Sequence, residues 1–399
     1  MQPDMRPYAG LKVVELSEDA AGEMTGKYLA ELGADVIKVE PPGGAASRRI
    51  GPFAQGKQDG EHSLHFWFYN PGKNSVVVDL DDPRGITMLR DMLRDADLLI
   101  IGYQPARLAE LGLDYAELQS AFPSLIIVSV TPYGLEGPWA DYRSSDLVAL
   151  AGGGQLNVSG YDDHSIPPIR PGGNQAYHIA ASFGLAGAEI ALLQRQADGL
   201  GQLVDVSMHD SCAITVELAF AFWEYQKAPM LRQTCRHAQP MMTHCALFEC
   251  ADGRYIYAVI MLAEPKPWKA LVAWMEEEGM ALDLVEDRFF DAKYRQENFG
   301  YVSEIVECFF LTKTAEEAYH QGQAREIPIG MLHAPEELVD DAHLAARGFW
   351  RDTAGIDGPI RYPGAPFVFS GFAIPAPARP PRLGEHNGPF RRDALSLAR

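Results

Sequence analysis

Six short apolar runs, separated by segments with helical spacing, restrict what this chain of 399 residues can fold into. Residues 11–16, 35–40, 76–80, 97–101, 125–130 and 203–207 each read as a strand. Between them, residues 23–32 and 82–95 carry helix signals, with Gly33 at a C-cap position and Pro83 in a first turn. Near-continuous apolar strands alternating with helices imply an α/β fold with a parallel sheet covered on both faces. Ligands of such sheets sit at the carboxyl ends of the strands, which directs attention to residues 17–22, 41–52, 102–106 and 131–146. Residues 41–64 show too little apolar periodicity for an element and are expected to form a long functional loop. Residues 175–196 form a helix dense in alanine and glycine. Asp210 is expected to cap a following helix that runs to about Gln226, and residues 245–260 read as a hairpin. Residues 374–382, mostly proline, arginine and alanine, are expected to lie extended on the surface.

At 47% hydrophobic residues the chain has ample material for a core, and its length suggests two domains. No run approaches the roughly 18–20 apolar residues of a bilayer span, and the first six residues lack the charged-then-apolar pattern of an export signal. A cytoplasmic location is therefore expected. Cys212, Cys235, Cys245, Cys250 and Cys308 are odd in number and contain no CxxC pair, which fits reduced thiols. His244, Cys245 and Cys250 fall short of a tetrahedral set, so no metal site is expected. The formal charge of −20 disfavours nucleic acid. An anionic small ligand requires only a local cluster of basic side chains and backbone N–H groups.

Three local patterns invite chemistry and are better read as structure. Gly22 to Lys27 is one residue short of a phosphate loop, and Tyr28 stands where a Ser or Thr would hold magnesium. Ser207, His209 and Asp210 are sequence neighbours, which seldom converge as a triad. Gly152–Gly154 fits a helix stop or a close backbone approach equally well.

The order of segments points further. Gly10 to Leu16, Ala30 to Gly44, Arg48 to Pro52, Asn70 to Ser75, Val78 to Gly85, Pro105 to Leu113, Gly134 to Pro138, Gly199 to Asp205 and Leu383 to His386 resemble, in order, the family III CoA-transferases. That group includes formyl-CoA transferase and α-methylacyl-CoA racemase. The resemblance implies a large Rossmann-like domain from residues 1–225 and 326–399, a small domain from 226–325, and an interlocked ring-like dimer. It implies coenzyme A and an acyl-CoA as substrates, a carboxylic acid as acceptor, and no metal. Arg48, Asn70, Lys73, Tyr103, Pro105 and Arg143 match the loops that hold CoA in the family. Gly102 and Glu110 depart from the residues usual there.

The resemblance also implies an aspartate that attacks the thioester and forms a mixed anhydride, splitting one difficult exchange into easier steps. Here Tyr177 occupies that position, and no Asp or Glu lies between Asp163 and Glu189. A phenol with an unperturbed pKa of about 10 does not substitute simply, because an aryl ester exchanges unlike an anhydride. Asp146 matches the acidic partner of the racemases, but Ser145 replaces their histidine. Three readings follow. One is a CoA-transferase moving CoA between carboxylic acids with a relocated carboxylate, for which Glu18, Asp19 and Asp146 are candidates. Another is a non-catalytic subunit paired, in a heterodimer rather than a homodimer, with an Asp-bearing paralogue. The last is a repurposed acyl-CoA lyase, hydrolase or isomerase using Tyr177, with His178 beside it.

Overall fold

The computed structural model describes residues 6–259 and 265–388. Contacts divide the chain into two compact units. The first takes in the chain up to Gly153, Gly172–Thr215, and the chain from Asp341; the second comprises Gly154–Pro171 and Val216–Asp340.

The first unit is built on the six expected strands: β1 (Lys12–Leu16), β2 (Asp35–Glu40), β3 (Asn74–Val77), β4 (Leu98–Ile101), β5 (Ile126–Thr131) and β6 (Leu203–Ser207). All pair in parallel in the order β3-β2-β1-β4-β5-β6. This is the doubly wound arrangement, whose order reverses between β1 and β4. β3 begins and ends earlier than its apolar run suggests, because Asn74–Val77 pairs with Ile37–Glu40 and the chain then turns at Asp79–Asp82.

One face of the sheet is conventional. Val14, Leu16, Val39, Val76, Leu99, Ile101 and Ile127 pack against Leu89, Leu93, Leu108, Leu111 and Leu118. The opposite face of β1–β3 is not, since the alternate residues Glu15, Lys38, Glu40 and Ser75 are fully buried there. Together with Glu23, Lys73 and Arg48 they make a buried ionic layer. Lys38 Nζ lies 2.9 Å from Glu15 Oε1 and 2.8 Å from Glu23 Oε1, and Lys73 Nζ lies 2.7 Å from Glu15 Oε2. Three carboxylates thus meet three cations without bulk water, an arrangement that holds only while every charge keeps its partner.

Helix α1 (Ala20–Glu31) covers this layer. Its glycines are required there: a Cβ on Gly22 would sit 2.1 Å from Ser17 Oγ, and one on Gly26 would sit 1.9 Å from Glu15 Oε2. The long helix Gln175–Asp198 lies on α1 through Ala176, Ala180, Ala181, Gly184 and Ala188. It is long and apolar enough by length and composition to cross a membrane, with 33% of its most apolar stretch buried. His178, Ser182 and Glu189 interrupt it, so it holds no unbroken apolar run of that length. Ser207, rather than Asp210, caps the helix after β6, and the expected continuous helix breaks at Ile214–Val216. Within the expected loop 41–64 lie two single 3-10 turns, and a short helix α2 (Leu64–Tyr69) follows, capped by Ser63.

The second unit holds a three-stranded antiparallel sheet, with Tyr255–Ala258 between Leu247–Glu249 and Ile329–Met331. Its core joins Trp268, Leu271, Trp274, Val306, Phe309 and Phe310. The unit is larger than the 226–325 read from sequence, for two reasons. Ile329–Met331 completes the sheet, and Asp162 exchanges hydrogen bonds of 3.0 Å with Thr234, tying residues 154–171 to the hairpin that follows.

Candidate active site

The carboxyl ends of β1, β4 and β5 open on one side of the first unit. Leaving β1, the chain passes Ser17 and Glu18 to Asp19, the N-cap of α1. Asp19 Oδ1 accepts from the backbone N–H groups of Ala21 and Gly22, both at 3.0 Å, and from Ser17 Oγ at 3.3 Å. Such bonds favour the ionised form. Burial outweighs them, and with the charge of Glu23 it pushes the carboxyl up to about 6. Glu18 faces elsewhere, and its Oε2 accepts from Ala46 N at 3.3 Å.

Tyr177 sits in the first turn of the long helix, whose N-cap Asn174 makes no side-chain cap. Buried Asp146 supplies that cap from another element, accepting from Ala176 N at 2.8 Å. Burial, then the charges of Asp19 and Asp146, push the Tyr177 phenol up to about 12. The structure therefore brings Tyr177, Asp146 and Asp19 together and leaves Glu18 tied to the loop after β2. The Tyr177 phenol is therefore protonated at neutral pH.

A second hydroxyl lies close by. Asn174 Nδ2 donates to Tyr69 Oη at 2.9 Å, and Tyr69 Oη lies 2.8 Å from His178 Nε2. The phenol oxygen thus links Asn174 to the His178 ring, in either of the imidazole's neutral tautomers. Burial, then the Lys27 charge, holds the His178 pKa down, so the imidazole stays neutral and able to accept. Sequence reading placed His178 beside the site but missed Tyr69, because its helix lies at the end of a stretch without apolar periodicity. Replacing Tyr69 with Phe breaks both bonds, and denaturant unfolding should show a loss of about 1–2 kcal/mol.

The six residues matched to CoA separate into two groups. Arg48 is buried, bidentate on Glu40 at 2.6 and 2.8 Å, bonded to the carbonyls of Gly60 and Pro381, and stacked 3.8 Å over Phe66. Asn70 and Lys73 bond each other at 2.9 Å, and Lys73 also holds Glu15. Burial pushes Lys73 down to about 8. These three side chains are buried in the ionic layer and its neighbours. Tyr103, Pro105 and Arg143 are on the rim instead. Gln104 Nε2 donates to the Tyr142 carbonyl at 2.6 Å and Ala106 N to Asp141 Oδ1 at 2.9 Å, stapling the loops after β4 and β5. Arg143 is exposed next to that staple. Among the described residues, no three His, Cys, Asp or Glu side chains group to hold a metal ion.

The profile of CoA-transferase family III matches residues 8–387. The chain belongs to this family. It is 35% identical over 387 residues to the BbsE subunit of succinyl-CoA:(R)-benzylsuccinate CoA-transferase from Thauera aromatica, covering 95% of this chain and 92% of that one. Succinate–glutarate CoA-transferase of Agrobacterium fabrum is 29% identical over 398 residues, covering 98% and 97%. Among solved structures, Rv3272 of Mycobacterium tuberculosis superposes with a TM-score of 0.82 at 25% identity, covering 98% and 100%. A CaiB/BaiF family protein from Brucella suis shares the fold, with a TM-score of 0.83 at 24% identity, covering 98% and 99%. CoA-transferases use CoA thioesters as substrates.

Proposed function

We propose that this chain is one subunit of an acyl-CoA:carboxylate CoA-transferase whose covalent carboxylate comes from an Asp-bearing paralogue. The observation that carries this is Tyr177. The position where the family resemblance calls for a carboxylate holds a phenol kept protonated to about 12, while the surrounding scaffold is intact. The 35% identical relative is itself named as a subunit. Apolar residues left uncovered on the long helix, Phe183, Ile190 and Leu193, support a partner surface. The test is native mass spectrometry of the chain isolated from its own cell, with a CoA-exchange assay on the same sample. A heteromer with a paralogue supports the reading; a homodimer that exchanges CoA defeats it.

A second reading is favoured by Asp19, a carboxyl held near neutral pH in electrostatic contact with Tyr177. In it, Asp19 attacks the thioester of the donor: the carboxylate oxygen bonds to the acyl carbon and CoA leaves as thiolate. Asp19→Asn then abolishes exchange by the chain alone. Stability separates this role from a structural one. A carboxyl raised from 3.8 to about 6 stabilises the fold below its unfolded pKa and loses that contribution as pH rises through about 6. Asp19→Asn should therefore remove a stability decline of up to about 3 kcal/mol between pH 4 and 7, read by denaturant unfolding at both values.

A further inference from the structure

The second unit contains a buried cation with no counter-ion. Arg295 is 1% exposed, and among the described residues no carboxylate lies within ion-pair distance of it. Its nearest acid, Asp291, is spent on capping the helix Ala292–Glu297 through Tyr294 N at 2.8 Å. Arg295 Nη1 donates to the Phe289 carbonyl at 2.8 Å, but Nε has no partner. The guanidinium stacks 5.1 Å from the ring centre of fully buried Trp268, whose Nε1–H is also unpartnered. His244, 8% exposed, is coupled electrostatically to Arg295 and has neither ring nitrogen bonded. Phe299 meets the His244 ring edge-on at 5.7 Å, and Ser303, one turn further along that helix, has a buried and unbonded hydroxyl.

Four buried side chains of one unit that each keep an unpartnered polar atom are unusual, because a buried donor left unpaired is destabilising. Water alone would leave the charge on Arg295 unneutralised, and burial of that charge is the larger cost. We propose that the second unit holds a buried site for a small monoanion, halide or carboxylate in size, built by Arg295, Trp268, His244 and Ser303. The donor set fits that occupant. Arg295 Nε–H and Trp268 Nε1–H can only donate, Ser303 donates its hydroxyl proton, and neutral His244 donates from one nitrogen. Burial and the nearby charges of Arg295 and Arg236 push His244 down to about 4, so it stays neutral beside the guanidinium at working pH. Arg236, the other cation near His244, is already paired with Asp162 at 3.1 Å and bonded to Gln233 and Thr243, so the site keeps one uncompensated positive charge. A monoanion neutralises it, whereas a dianion or a bulky phosphate ester would reverse the imbalance.

The test is thermal unfolding of the full-length protein in sodium chloride, sodium formate and sodium gluconate at equal ionic strength. Chloride or formate should raise the melting temperature by about 2 °C or more over gluconate, which is too bulky for a buried site. A rise in formate alone assigns the site to carboxylates, and a rise in both assigns it to small monoanions by size. Arg295→Met should abolish the difference. Because that variant risks misfolding, Trp268→Phe is the second probe: it keeps the stacked ring, removes one donor, and should weaken the apparent affinity about fivefold. Crystals soaked in bromide should show an anomalous peak between Arg295 Nε and Trp268 Nε1. Equal melting in all three salts, Trp268→Phe behaving as the native chain, or no bromide peak overturns the proposal.

Discussion

Purified by itself, this chain should exchange CoA between acids at least about 10³-fold more slowly than the same chain isolated with an Asp-bearing partner. The reason is chemical. The covalent route needs a carboxylate whose acyl derivative is an anhydride, and burial pushes the phenol that replaces it up to about 12. Raising the pH into the range that ionises Tyr177 would yield an aryl ester, which returns its acyl group to a thiolate far less readily. Within the heteromer, Tyr177→Phe should change turnover by less than about twofold, because the hydroxyl neither attacks nor holds a proton that moves. The measurement is a discontinuous CoA-exchange assay on the chain alone, on the pair, and on the pair carrying Tyr177→Phe. Full activity of the lone chain, lost in Asp19→Asn, would transfer the covalent role to Asp19.

The largest stability effect belongs to Lys38→Met. The ammonium is fully buried and holds Glu15, Glu23 and the Ser17 carbonyl at 2.7 to 2.9 Å. Its removal leaves three buried carboxylates facing two cations, Lys73 and Arg48. Breaking one partner of such a layer costs about 3–5 kcal/mol, a large share of the 5–15 kcal/mol that holds a domain together. Urea unfolding should record that loss at pH 7.5. The deficit should shrink toward pH 5, because in the variant an unpaired carboxylate has a raised pKa, binds a proton more readily folded than unfolded, and so favours the fold as pH falls. Arg84→Ala is the control. Its pair with Asp82 is solvent-exposed, and its loss should leave the urea midpoint essentially unchanged.

The parallel sheet was legible in the sequence because a strand buried on both faces announces itself as an unbroken apolar run, and β4 (Leu-Leu-Ile-Ile) is the purest example. The same logic hid the ionic layer. Glu15, Lys38 and Glu40 alternate with valine and leucine, a pattern that normally marks a solvent face. Only the tertiary fold, with α1 laid over them, shows that they point inward. The partners of Arg48 and Lys73 were hidden for a related reason: each basic residue sits in a loop, and its carboxylate, Glu40 or Glu15, lies in a strand. Asp146 and Tyr177 were singled out by the order of motifs, and in the structure Asp146 caps the helix that carries Tyr177. Tyr69 and the second unit's extra segments left no local signal. Their positions depend on contacts between residues separated by 70 to more than 100 positions, such as Asp162 with Thr234 and Tyr69 with His178.

The far edge of the main sheet has a bearing on how the chain is made. β3 offers its outer backbone to the end of the described chain. Ser75 N donates to His386 Nδ1 at 3.1 Å, His386 N returns a bond of 3.0 Å to the Ser75 carbonyl, and Val77 N donates to Asn387 Oδ1 at 2.8 Å. The partners are 311 residues apart in sequence. During synthesis β3 emerges early and then waits while the second unit and the returning segment are translated. Throughout that interval it is a bare strand edge, the kind of surface that pairs with a neighbouring nascent chain. The ribosome, not the finished molecule, therefore faces the aggregation hazard. A truncation just before Leu383 should leave the mature sheet nearly intact in composition yet sharply lower its soluble yield.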